Sequence, residues 1–245
     1  MSDPIYKYPR LYLNASFQEK VPIVLEKAHL HYLRNVLRKD AGDKIRIFNG
    51  HDGEWIAALE YQGKKAGNAV AERCIKPQAK RTRKTHLYFS PIKKNRMDML
   101  IEKAVELGVT DLHPVIMARS VMRKVNTERV SAQIIEAAEQ SERLDLPTLH
   151  DVVNFASFLT GGDGRPPTYA CVERDENTHK LSACDFNADI AFVIGPEGGF
   201  DKEEITHLKG LDHITLVSLG EDILRAETAA IACLSYAMLL SHGKS

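Results

Sequence analysis

The chain has 245 residues, 44% apolar and 27% charged, ordinary proportions for a soluble globular protein with room for one or two cores. Its formal net charge of zero hides an asymmetry: residues 1–129 carry 25 Lys and Arg against 14 Asp and Glu, and residues 130–245 carry 8 against 19. The composition excludes a membrane protein and a disulfide scaffold. The apolar stretch Ala229–Leu240 is too short to span a bilayer, and the opening MSDPIYKYPR has no apolar signal core, so a cytoplasmic location is expected. Cys74, Cys171, Cys184 and Cys233 form no C-x-x-C pair, so neither a structural zinc site nor any other metal is expected. A basic half suits a phosphate-rich partner. Mutual neutralisation of the two halves, within the fold or a dimer, accounts for the same numbers.

Residues 1–75 read as a small β-rich domain. Arg10–Leu13 alternates as a first strand, and Lys27–Arg38 predicts a helix with Leu30, Leu33 and Leu37 on one face and Arg34 and Arg38 on another. Lys44–Phe48 alternates as a half-buried strand, Asn49-Gly50 marks a hairpin, and Trp55–Tyr61 and Ala69–Cys74 supply the returning strands. Such a short-stranded barrel suits an RNA-binding module and equally a purely structural one. Residues 76–84, KPQAKRTRK, read as a basic linker.

From residue 85 to 245 strands and helices alternate, the pattern of an α/β domain with a parallel sheet. Strands are expected at His86–Ser90, Leu112–Met117 and Tyr169–Glu173, with helices at Arg96–Gly108 and roughly Thr127–Arg143. Glu139–Arg143 forms a polar cluster at that second helix end. Two further apolar runs, Ile190–Ile194 and Ile214–Leu219, each pass through a glycine-containing loop into a helical pattern. Both loops would leave the carboxyl ends of buried strands and lie side by side around a ligand crevice. The first, Gly195-Pro196-Glu197-Gly198-Gly199, lacks the Lys-Ser/Thr of a phosphate loop and the G-x-G-x-x-G spacing. Asp201 and Glu204 have capping-box spacing, which starts a helix at Lys202. The final helix, about Glu227–Ser241, is apolar nearly all round. No hydrolase elbow or H-E-x-x-H pattern occurs. The polar residues near the crevice are Glu197, Arg225, Glu227 and Thr228. Glu227 complements a helix start, whereas a cation at Arg225 is unfavourable there and points to an anionic ligand or transition state.

These segments, in this order, resemble the 16S ribosomal RNA uridine-N3 methyltransferase family of the SPOUT class. The resemblance runs through Val36-Leu37-Arg38, Phe48-Asn49-Gly50, Glu106-Leu107-Gly108-Val109, Glu139-Gln140-Ser141 and Arg143. Its strongest pieces are Ile194–Phe200 with Glu204, and Leu219-Gly220 with Ile223-Leu224-Arg225 and Glu227-Thr228-Ala229.

The resemblance implies an α/β SPOUT domain with a deep trefoil knot, a PUA-like N-terminal β-barrel, and a homodimer acting on 16S rRNA of the small ribosomal subunit. It implies S-adenosylmethionine as cofactor, held around Val172, Glu173, Ile194, Gly195, Pro196, Gly198, Gly199, Leu219, Gly220, Ile223, Leu224 and Thr228. Arg225 is the expected catalytic cation and Glu197 the candidate base, with Arg10, Arg34, Arg38, Lys93, Arg96, Arg119, Gln140 and Arg143 as RNA contacts. Glu221-Asp222 departs from the family pattern, in which many relatives carry a basic residue beside the isoleucine. A noncatalytic RNA-binding protein with this fold, and a SPOUT enzyme for another RNA position, are the alternatives.

Overall fold

The computed structural model describes residues 4–63, 65–161, 164–173 and 175–242. The chain folds into two compact units, one of residues up to Lys80 with Ala138–Asp145, the other of Arg81–Ala137 with the residues from Leu146 on.

The first unit is built on strands β1 (Arg10–Tyr12), β2 (Pro22–Val24), β3 (Lys44–Phe48), β4 (Glu54–Gln62) and β5 (Ala66–Lys76), with one short helix, α1 (Lys27–His31). The sheet order is β1-β3-β4-β5-β2, with β1 parallel to β3 and the other pairs antiparallel. Leu11, Ile23, Leu30, Leu33, Ile45, Ile47, Leu59 and Ala69 share one core, to which both edge strands contribute. The single helix expected over Lys27–Arg38 is broken. After His31 the chain widens into a π-helical turn, Tyr32–Val36, in which the Leu37 amide donates five residues back to Tyr32, and it leaves through Arg38 at φ 53.

Three arginines in this unit depart from their sequence reading. Arg46 lies in a strand whose alternation should turn it outward, yet it is buried and pairs with Glu142 at 2.7 Å and Glu54 at 3.5 Å. Arg10, expected to meet RNA, is 7% exposed. Its guanidinium donates to Glu54 Oε1 and to the carbonyls of Ala138 and Arg143, each at 2.7 Å, and lies 3.7 Å over the Phe48 ring. Arg143 is likewise buried and pairs with Asp145. Arg10 fastens residues 138–145 to β1 and β4, Arg143 pairs within that segment, and neither offers a surface to RNA.

The second unit places β6 (Thr85–Phe89), α2 (Lys94–Glu106), β7 (Asp111–Ile116), α3 (Thr127–Gln140), β8 (Thr148–Leu149), β9 (Val153–Asn154) and α4 (Phe155–Leu159) before the crevice strands; the last residues of α3 fall in the first unit. Then come β10 (Thr168–Cys171), β11 (His179–Lys180), β12 (Ile190–Ile194), α5 (Lys202–Lys209), β13 (Ile214–Ser218) and α6 (Ala226–His242). The sheet order is β11-β13-β10-β12-β6-β7-β8, with β9 also on β7, and every pair is parallel. The chain is therefore a mixed α/β protein with a parallel sheet. α2 buries Met97, Leu100, Ile101, Ala104 and Val105 as its periodicity predicts. α6 buries Ala230, Cys233, Leu234 and Ala237, while Leu239 and Leu240 stay exposed. The basic stretch before β6 is partly structural, since Arg83 donates to the carbonyls of Phe186 at 2.6 Å and Ala237 at 3.0 Å. No helix among the described residues is long and apolar enough to cross a membrane.

A ladder of rings runs across β6 and β7. His113 stacks between Tyr88 (4.2 Å) and His150 (3.9 Å), and its Nε2 meets Nδ1 of His86 at 3.1 Å. With Asp111 these imidazoles approach a metal-ligand set. Burial, and then the neighbouring His150 and His86, push the His113 pKa down to about 3.

Two predictions follow the packing. Arg10→Ala leaves the buried Glu54 with only the longer contact to Arg46 and strips the carbonyls of Ala138 and Arg143 of their donor, and should lower stability by about 3 kcal/mol in denaturant unfolding. Folded His113 resists the proton that the unfolded chain accepts near 6.5, so its contribution is complete above that pH and is lost as pH falls toward 3. Stability measured from pH 7 to pH 4 should decline, less steeply in His113→Phe.

Candidate active site

β10 lies between β12 and β13, so the two glycine loops are not direct neighbours; a third strand end separates them. Register makes the three strands finish level. Cys171, the last residue of β10, pairs with Ile194 on one side and Val217 on the other. The chain beyond each strand, from Val172, Gly195 and Leu219, therefore emerges at one edge, the carboxyl end where open α/β sheets bind ligands. A cleft of about 910 Å³ opens there.

The first loop is held by polar contacts that reach other loops. Glu204 closes the capping box with Asp201, and its second oxygen accepts from the Ala118 amide at 2.8 Å. One buried carboxylate thus ties the start of α5 to the segment after β7. Arg119 donates to the Gly198 carbonyl at 2.8 Å. Ser120 accepts from the Met117 amide and shares a 2.7 Å hydrogen bond with Ser90, whose amide donates to Ile194. The glycines leave backbone as the cleft wall. A Cβ on Gly195 would lie 3.0 Å from the Phe200 ring, and Gly199 adopts φ +69. In the second loop Gly220 takes φ +138, again outside the range of ordinary side chains.

Val172, Glu173, Ile194, Gly195, Pro196, Gly198, Gly199, Leu219, Gly220, Ile223 and Leu224 all line the cleft, as do Glu197 and Arg225. Thr228 is exposed on the first turn of α6 and does not line it. Arg96 and Arg119, expected as RNA contacts, are part of the wall. Lys93 is exposed just before α2, and Gln140 is exposed at the end of α3. In the first unit Arg38 is exposed, and Arg34 stacks on Tyr61 at 3.8 Å while donating to the Gly63 carbonyl. Cys171 and Phe200 line the cleft without having been named as site residues. Their only signal was position, one at a strand end and the other beside the glycines.

The electrostatics divide the wall's cations. Arg96 faces Glu197 at 3.6 Å and Glu227 at 3.7 Å, and Arg119 is spent on a carbonyl. The Arg225 guanidinium is exposed and makes no ion pair or hydrogen bond among the described residues, while its carbonyl accepts the first helical bond of α6, from Ala229. A cation without a partner among the described residues thus stands at a helix start, on a cleft wall of backbone, apolar and charged side chains. Glu221 and Asp222 also line the cleft, on its acidic side.

Residues 79–238 match the model of an RNA methyltransferase domain, and residues 25–71 that of an RNA methyltransferase PUA domain. The ribosomal RNA small subunit methyltransferase E of Rickettsia conorii is 36% identical over 96% of each chain. The protein of the same name from Neisseria gonorrhoeae, solved bound to S-adenosyl methionine, is 27% identical with a TM-score of 0.85, covering 95% of this chain and 98% of that one. A Legionella pneumophila methyltransferase, solved with bound cofactor SAM, is 28% identical with a TM-score of 0.85, over 96% and 98% of the two chains. Fold and cleft define an RNA methyltransferase joined to a PUA domain. Within that class, the chain belongs to the ribosomal RNA small subunit methyltransferase E family.

Glu204→Ala should leave two backbone amides at the cleft without an acceptor. The expected cost is about 2–3 kcal/mol, with faster hydrogen exchange over residues 195–201 and 117–120. Unchanged exchange there would show that the loop is held by other contacts.

Proposed function

We propose that the chain transfers a methyl group from S-adenosylmethionine to N3 of one uridine in 16S rRNA of the small ribosomal subunit. The observation that carries this reading is Arg225, a cation without a partner on the wall of the backbone-lined cleft.

The residues present suit the cofactor. Val172, Ile194, Leu219 and Leu224 supply apolar wall, the glycine loops supply free backbone groups, and Glu173, Glu221 and Asp222 supply acceptors for hydroxyls and for positive charge. The acidic pair that departs from the family pattern thus has a use toward a cationic ligand. When bound, S-adenosylmethionine supplies an electrophilic sulfonium methyl. The chain must do the rest. Uracil N3 has to lose its proton, and the charge left behind spreads onto O2 and O4. A guanidinium directed at those oxygens stabilises that anion, at roughly 1.5–3 kcal/mol for a charge-assisted hydrogen bond. Arg225 is assigned that role, and Glu197, on the same wall, is the candidate proton acceptor.

Exposed Arg38 and Lys93, with Arg34, Arg96, Arg119 and Gln140, are the proposed RNA contacts; their phosphate interactions make binding salt-dependent. The fuller reading includes a PUA-like barrel closed from the five-stranded sheet, a trefoil knot in the last segments, a cytoplasmic location and a homodimer with its sites near the interface. Family membership supports these features, and the exposed Leu239, Leu240 and Ile223 supply apolar surface for a second copy.

Arg225→Ala should abolish methyl transfer to RNA while calorimetry finds the cofactor bound within a few fold of the parent affinity. Normal turnover in that variant would end the assignment.

A further inference from the structure

Glu227 is a buried carboxylate that the transfer chemistry above leaves unused. It stands in the first turn of α6 with 5% exposure. Its Oε1 is 3.7 Å from Nε of Arg96, and its Oε2 is buried with no hydrogen-bond partner among the described residues. A helix start suits a negative charge, but a buried oxygen without a donor calls for a partner that arrives. Arg96 is half-exposed on the cleft wall, and its Nη1 lies 3.6 Å from Glu197 Oε1. Both separations exceed hydrogen-bond length, so Arg96 sits in the field of two carboxylates and is bonded to neither. Because Nε faces Glu227 and Nη1 faces Glu197, Nη2 is left for the free Oε2. That completes the side-on, two-bond pairing that guanidinium and carboxylate favour.

We propose that Glu227 is a positioning residue for methyl transfer, drawing Arg96 onto its two carboxylate oxygens when RNA enters the cleft and so releasing Glu197. The movement turns Nη1 of Arg96 toward the incoming nucleotide. It also moves Arg96 away from Glu197, whose carboxylate is then left to meet the nucleotide. The inference rests on the methyl-transfer reading and gives two of its wall residues distinct tasks.

The test is a double-mutant cycle on the full chain with Glu227→Gln, Arg96→Gln and the pair together, using 16S RNA-containing subunits as substrate and calorimetry for the cofactor. Glu227→Gln should lower kcat roughly 10- to 100-fold. Its KM for RNA and cofactor Kd should stay within about twofold of the parent. The double variant should be no slower than Arg96→Gln alone, since both changes break one device. A merely structural Glu227 would instead give losses that multiply. Multiplying losses, a parent-like kcat in Glu227→Gln, or a loss carried by cofactor Kd would each overturn the proposal. Should Glu227→Gln fail to fold, Arg96→Gln decides alone: kcat must fall with Kd unchanged, and a retained kcat refutes the role. An inactive parent protein would count against methyl transfer itself, which is a separate result.

Discussion

The candidate site depends on a register. β10, β12 and β13 end at one level because Cys171 pairs with both Ile194 and Val217. All three strands are parallel, so three loops leave the same edge and their backbone becomes the wall of one cleft. A one-residue slip would turn each strand over and bury loop residues in place of Phe192 or Val193.

Polar contacts then fix the loops that the register delivers. Glu204 holds the start of α5 against the segment after β7, and Ser90 and Ser120 tie that segment toward β12. Arg119 braces Gly198. With those groups committed, Arg225 is the wall cation that faces no carboxylate among the described residues. The first unit shows the same economy, in that Arg10 and Arg46 are consumed by Glu54, Glu142 and backbone carbonyls. Its basic composition therefore overstates the surface available to RNA.

Much of the second unit was legible where a residue pattern has a single physical reading. Asp201 and Glu204 start α5 at Lys202, five consecutive apolar residues make β12, and a 3.6-residue period gives the buried face of α2. The elements that escaped were too short to carry a period: β8, β9 and β11 have two residues each. Arg10 was misread because its partners, Glu54 and the carbonyls of Ala138 and Arg143, lie far along the chain, and Arg143 because its burial comes from the fold, while its partner Asp145 is two residues on. The insertion of β10 between β12 and β13 is likewise a long-range fact that no local spacing contains. In the cleft, glycine and proline announced the loops. The division of labour among Arg96, Arg119 and Arg225 follows from partners that only the fold brings near.

The central claim is that this cleft methylates N3 of a uridine in small-subunit RNA. It is tested most directly by incubating the purified protein and S-adenosylmethionine with small ribosomal subunits from cells lacking the protein, then mapping the 16S RNA by mass spectrometry. The expected product carries one added methyl, on N3 of a single uridine. A methyl on ribose, on a carbon or on another base, or no methyl at all, would contradict it.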